Sequence, residues 1–176
     1  ADFLEKELGW KNVYAFDQEI LGENGTLGRD SYNEVLLTSH LRQALKRLNP
    51  WLTDKQMQEA MNHMTEHLSS QTLMQINEQK YQYIRNGIPV TRTKPNGETE
   101  EVTAKVIDFV SPDKNEFLCV REMWVYGALY RRRADIVGFV NGIPLLFMEL
   151  KNHDVEVVDA FNQNYRDYLD TIPQLF

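Results

Sequence analysis

The stretch that decides the fold is Arg131-Arg132-Arg133-Ala134-Asp135-Ile136-Val137-Gly138-Phe139-Val140-Asn141-Gly142-Ile143-Pro144-Leu145-Leu146-Phe147-Met148-Glu149-Leu150-Lys151. Two apolar runs flank Asn141-Gly142, a residue pair suited to a tight hairpin turn. The pattern predicts one strand over Arg132–Val140 and another over Pro144–Lys151. An Asp opens the first strand, and Glu-x-Lys closes the second. Glu149 and Lys151 are two apart on a strand, so both side chains leave the same face. Asp135, Glu149 and the carbonyl of Leu150 form a set of hard oxygen ligands suited to a divalent cation such as Mg²⁺. Lys151 beside them would position or deprotonate a water and stabilise developing negative charge. The same charges also suit the solvated ends of two neighbouring strands.

The hairpin register decides between these readings. With a strict two-residue turn, Asp135 lies opposite Met148, and Glu149 is left on the wrong face. A shared cation therefore requires an odd register, for example a three-residue turn with a bulge at Gly142.

Outward from this stretch, the chain changes period near Gly87. Before it the pattern is helical: a short helix from Asp2 to Leu8, then mostly loop over Trp10–Gly28 with a short strand at Val13–Phe16. A helix follows over Ser31–Leu48, stopped by Asn49-Pro50. Thr53-Asp54 opens another, carrying Met57, Ala60, Met61, Met64 and Leu68 on one stripe, and a third spans Thr72–Arg85. After Gly87 the period is two. Strands are expected at Pro89–Thr93, Glu101–Val110 and Phe117–Tyr126, and a last helix at Val155–Leu169. The order gives an α+β (mixed α/β) fold with a mainly helical part at 1–87 and a strand-rich part at 88–176.

Composition narrows the classes. The chain has 176 residues, 42% of them apolar, which is enough for one ordinary domain with a buried core. No apolar run approaches the roughly 18 residues of a membrane span, so no membrane partner is expected. The first eight residues are acidic and amphipathic, unlike a secretory signal. A lone Cys119 in an apolar run suits the reducing cytoplasm. The net charge of −7 argues against a large, independent nucleic-acid footprint, which would need clustered cations. The dense basic cluster is Arg131-Arg132-Arg133, with Arg121. It reads either as a phosphate contact or as a solvated charge run.

Competing motifs are weaker. His63-Met64-Thr65-Glu66-His67 matches a His-x-x-Glu-His zinc pattern, yet it shares a helix with the Met stripe and has no recognisable third ligand, so a polar helix face is preferred. Gly22-Glu-Asn-Gly25-Thr-Leu-Gly28-Arg29 lacks the Gly-Lys-Ser/Thr of a P-loop.

Asp135 followed by Glu149-Leu150-Lys151 resembles the PD-(D/E)xK nuclease signature, with Ala134 where that signature often has Pro. More specifically, the chain resembles the N-terminal endonuclease region of the R (motor) subunit of type I restriction enzymes. The features that carry the likeness are Arg47-Leu48-Asn49-Pro50, Asn86-Gly87, Ile107-Asp108-Phe109, the run from Arg132 to Lys151, Ala160-Phe161-Asn162-Gln163 and Ile172-Pro173-Gln174-Leu175-Phe176. The resemblance implies a restriction-endonuclease-like core sheet flanked by helices, and Mg²⁺-dependent cutting of double-stranded DNA at non-specific sites after ATP-driven translocation. It assigns Asp135, Glu149 and Lys151 to catalysis, with Asp135, Glu149 and Leu150 holding the metal and Arg131–Arg133 contacting DNA.

The resemblance further implies a Gln-x-x-x-Tyr pair on the helix after the Glu-x-Lys strand. Gln163 fits its first member. Asp167 stands at the second position and the tyrosine is Tyr168, one residue later. A family Glu on a helix before the sheet has candidates in Glu5, Glu7 and Glu78, which the sequence does not separate. The ATPase motor is expected beyond Phe176, and methyltransferase and specificity subunits as partners. A second function class stays open: a catalytically silent docking module tethering the motor to those partners.

Overall fold

A computed structural model describes residues 1–66, 70–151, 158 and 160–176, without the side chains of 160, 163 and 164. In chain order the elements are α1 (Asp2–Lys6), β1 (Lys11–Tyr14), α2 (Thr38–Leu48), α3 (Asp54–Thr65), α4 (Leu73–Asn86), β2 (Ile88–Thr93), β3 (Thr99–Ala104), β4 (Phe117–Tyr126), β5 (Arg131–Val140), β6 (Ile143–Met148), a π-helical stretch Ala160–Tyr165, α5 (Arg166–Thr171) and a closing 3₁₀ turn Pro173–Leu175. The fold is α+β.

The chain forms two compact units, one from residues 1–39 and 116–176, the other from 40–115. These units follow a different line from the change of period at Gly87. Strand β1 pairs in parallel with β4, Lys11 against Leu118, which joins the first residues to the last sixty. Local periodicity reports element type and carries no information about such long-range pairing.

The second unit is built on capped helices and a hairpin. Thr53 and Gln56 form a reciprocal capping box at the start of α3, and Thr72 and Gln75 repeat it at α4. Strands β2 and β3 pair in antiparallel register across a turn in which Gly97 takes φ +86°. The strand expected over Glu101–Val110 stops at Ala104. Lys105 leaves the ladder for Asn49, its amide donating to Asn49 Oδ1 and its carbonyl accepting from Asn49 Nδ2, and further on Asp108 Oδ1 accepts from the amides of Val110 and Ser111 in an Asx turn. The two bonds to Asp108 also hold its carboxyl below its ordinary range, Ser111 first.

The first unit carries a four-stranded sheet in the order β1-β4-β5-β6, with all pairs but β1–β4 antiparallel. One face buries Leu118, Val120, Met123, Val125, Ala134, Val137 and Phe139 against Leu27, Leu37, Tyr168, Ile172 and Leu175. The other buries Cys119 and Ile136 under Leu4 of α1, with Trp10, Leu146 and Met148 around them. The helix expected from Ser31 begins only at Thr38. Val35 and Leu37 pack on the sheet and the Leu37 amide donates to the Gly142 carbonyl, so core packing takes these apolar residues in non-helical form. The last helix, expected over Val155–Leu169, is helical at Val158 and from Ala160 onward and ends at Thr171; residues 155–157 and 159 lie outside the described residues.

The segment between β1 and α2 is held by a buried ion pair. Arg29 donates from Nε and Nη2 to both carboxylate oxygens of Glu19, at 2.6 and 2.7 Å, and also to the carbonyls of Glu34 and Trp124. Both side chains are essentially inaccessible to water. Removing one member leaves an uncompensated buried charge, costing about 3–5 kcal/mol. Glu19→Ala is therefore expected to lower unfolding stability by about that amount, read as a lower urea midpoint with an unchanged slope.

Candidate active site

The β5–β6 hairpin reaches the odd register by a route different from the expected one. Its turn is a strict two-residue turn, Asn141 at φ +53° and Gly142 at φ +82°, closing the pairs Val140–Ile143 and Phe139–Pro144. The register then shifts between Gly138 and Phe139, and Gly138 pairs with Leu146. Leu145 is the extra residue of a β-bulge. The bulge thus sits inside β6 and not at Gly142. Asn141 accounts for the tight turn: it is fully buried, its amide donating to the Glu116 carbonyl and its Oδ1 accepting from the Glu116 amide. That anchorage leaves no room for a third turn residue, so the odd residue is accommodated downstream. Gly138 suits this place, because a Cβ there would lie 2.8 Å from the Trp10 ring and 2.9 Å from Leu146 Cβ.

With Ile136 opposite Met148, the same register carried one step further sets Asp135 opposite Glu149. A second irregularity falls at Asp135. In β4 the core-facing residues run Leu118, Val120, then Met123, Val125; in β5 they run Ala134, then Val137, Phe139. Both strands change face at the Glu122–Asp135 level, where Glu122 takes the left-handed φ of +55°. A non-glycine residue held there costs of order 1–3 kcal/mol, and such outliers gather at functional sites.

The side chains meet around these two carboxylates. The Leu150 amide donates to Asp135 Oδ2 at 2.6 Å, and Lys151 Nζ lies 3.0 Å from Glu149 Oε1. Tyr168, buried on α5, places its hydroxyl 3.1 Å from Glu149 Oε2 and 2.9 Å from the Arg133 carbonyl. Burial, then the Glu149 charge and hydrogen bond, then the Asp135 charge push the Tyr168 phenol well above its ordinary range. The phenol is therefore a neutral donor facing two carboxylates. The structure thus gathers Asp135, Glu149, Leu150, Lys151 and Tyr168 in one place. The side chain of Gln163 lies outside the described residues, while its backbone belongs to the π-helical stretch that leads into α5.

Asp167, the residue four after Gln163, turns away from the carboxylates. It takes the Arg132 guanidinium in both hands, Nε to Oδ2 at 2.6 Å and Nη2 to Oδ1 at 2.9 Å. That hydrogen bonding holds the Asp167 carboxyl below its ordinary range and Arg132 above its own. The three arginines do not form one free cluster. Arg132 faces α5, whereas Arg131 and Arg133 leave the opposite side of the sheet, where Arg133 Nε lies 2.7 Å from Glu122. Spacing alone could flag Arg132 and Asp167 only as charges. Glu122 carried no signal, since a left-handed residue inside an apolar strand is invisible in composition.

The donor set is two carboxylates and a neighbouring peptide, all oxygen, and it suits a hard divalent cation. Among the described residues no group of three or more His, Cys, Asp or Glu is placed to hold a metal ion. The rival zinc motif includes His67, which lies outside the described residues. His63 stands edge-on to Tyr83, with Nδ1 3.3 Å from the tyrosine hydroxyl, and Lys80 Nζ caps the carbonyls of His63 and Glu66. No helix among the described residues is long and apolar enough to cross a membrane.

The model of the type I restriction enzyme R protein N terminus matches residues 1–176, and the chain belongs to that family. It is 30% identical over 175 residues to the type I restriction enzyme HindI endonuclease subunit of Haemophilus influenzae, covering 97% of this chain. It is 25% identical over 165 residues, 89% of this chain, to the type I restriction enzyme SauMSSORF170P endonuclease subunit of Staphylococcus aureus. The chain spans 16% of the length of each of these relatives.

The phenol sets an alkaline limit. Its proton is held more tightly in the folded chain than in the unfolded one, where tyrosine ionises near pH 10. Above that pH the unfolded chain binds fewer protons, so stability falls as pH rises. Thermal melts of the parent chain between neutral and strongly alkaline pH are expected to show this loss, and Tyr168→Phe to remove its part of the slope.

Proposed function

We propose that this chain is the endonuclease part of a type I restriction enzyme and hydrolyses phosphodiester bonds of double-stranded DNA with Mg²⁺, at sites not set by sequence. The observation that carries the reading is the meeting of charges just past the bulged pair Ile136–Met148: the Leu150 amide on Asp135, and Lys151 and Tyr168 on Glu149. It supports a restriction-endonuclease-like PD-(D/E)xK sheet. Asp135, Glu149 and the Leu150 carbonyl would hold the cation, which supplies a Lewis acid and a more acidic water.

The chain's own residues do the rest. Lys151, salt-bridged to Glu149, is placed to orient the hydrolytic water and offset charge building on the phosphate. The neutral Tyr168 phenol orients Glu149 and gives the carboxylate a donor. Gln163 acts from the same helical segment. ATP-driven translocation belongs to parts of the longer protein, in a complex with methyltransferase and specificity subunits. A silent docking module would leave the convergence of these charges without a purpose.

In the full subunit, assembled with its partners and supplied with Mg²⁺ and ATP, Lys151→Ala is expected to lower double-strand cleavage by about 10²-fold or more, the scale of a lost charge stabiliser or acid–base group. Translocation, followed by triplex displacement, is expected to continue. Cleavage at the parent rate would refute the assignment.

A further inference from the structure

The side of the sheet opposite Tyr168 carries a feature that the carboxylate site does not use. Met123, Val125 and Ala134 face the core, so the alternating Trp124, Arg131 and Arg133 face the other way. There they interleave with aromatic rings. The Arg133 guanidinium lies 4.6 Å from the Phe16 ring centroid and 5.7 Å from that of Trp124, and Arg131 lies 5.6 Å from Trp124. Arg121 repeats the motif over Tyr14 at 5.3 Å. The rings are not closed over: Phe16 is 37% exposed and Tyr14 38%. The Trp124 indole N–H donates to the Phe16 backbone carbonyl, which ties the indole to the chain that carries the Phe16 ring. Three cations stand against one carboxylate in these contacts, Glu122 on Arg133, in a chain whose total is −7.

The patch shares β5 with the carboxylate site but lies on the other face of the sheet. Arg133 is two residues before Asp135, and its carbonyl accepts from the same Tyr168 hydroxyl that reaches Glu149. Phosphate contact alone needs cations and no rings. Partly exposed rings alternating with guanidinium groups are what stacks unpaired bases while following a phosphate backbone. Bases in an intact duplex have no free faces for such rings.

Resting on the nuclease reading, we propose that this face is a stacking platform for a short unpaired segment of DNA, so that the strand is presented to the carboxylates from locally opened duplex.

The test is fluorescence anisotropy on the full chain without divalent metal. The probes are an oligothymidine of about 20 nucleotides, longer than the roughly 4–16 that a single-strand-binding OB fold covers, and a blunt duplex of the same length. The oligothymidine is expected to bind more tightly than the duplex. Phe16→Ala or Trp124→Ala is expected to weaken the oligothymidine about tenfold, the scale of one lost base–ring stack, and to leave the duplex nearly unchanged. Phe16→Tyr and Trp124→Phe are expected to bind like the parent. If circular dichroism shows that an alanine variant fails to fold, Trp124→Leu, which keeps bulk without a ring, decides on the same expectation.

Unchanged oligothymidine binding by the ring variants overturns the platform. Equal losses on both probes overturn it too, since they report phosphate contact only. Ring variants that bind DNA normally but no longer co-purify with the restriction complex would make the face a protein interface and also refute it. The nuclease reading fails separately: uncut DNA with the parent enzyme, or full cutting by Lys151→Ala, leaves these binding results standing.

Discussion

One unpaired residue, Leu145, sets the geometry on which the site depends. Side chains alternate strictly along a strand, so a hairpin that closed without it would put Asp135 and Glu149 on opposite faces of the sheet. The bulge turns a two-residue hairpin into an odd register, and beyond it both carboxylates act on the Tyr168 phenol. Like charges side by side are unfavourable unless donors or a cation compensate them. The surroundings supply the donors: the Leu150 amide on Asp135, and Lys151 and Tyr168 on Glu149.

What keeps that arrangement is packing from the last helix. Tyr168 belongs at once to the apolar core and to the site, its ring edge-on to Phe147 and its hydroxyl at the carboxylates. The neighbouring Asp167 clamps Arg132 of β5 with two hydrogen bonds, fixing the helix beside the strand that carries Asp135. Gly127 allows the close approach at the far end, where a Cβ would fall 2.0 Å from the Thr171 carbonyl oxygen. The irregular backbone at Glu122 is held by the same logic, with the sheet on both sides of it and Arg133 on its carboxylate.

The strands around Asn141-Gly142, the capped helices at Thr53 and Thr72, and the candidacy of Asp135, Glu149 and Lys151 were legible in the sequence because each rests on local rules: period, turn chemistry and spacing. The elements that misread are those in which tertiary contacts override local preference. Val35 lies on the sequence's helical stripe, yet it and Leu37 pack on the sheet in non-helical form. Ile107-Asp108-Phe109 has strand composition and becomes a turn because Asp108 bonds the backbone ahead of it.

By itself, then, the sequence determined the α+β class, the turn at Asn141-Gly142 and which charged residues close the two strands, since hydrophobic period and residue chemistry act over a few neighbours. The tertiary structure alone decided where the odd residue goes, that Tyr168 and not Asp167 meets Glu149, and that Arg132 parts from Arg131 and Arg133. These follow from pairing and packing between residues far apart in the chain. A bulge or a change of face costs little at one residue, yet redirects every side chain beyond it.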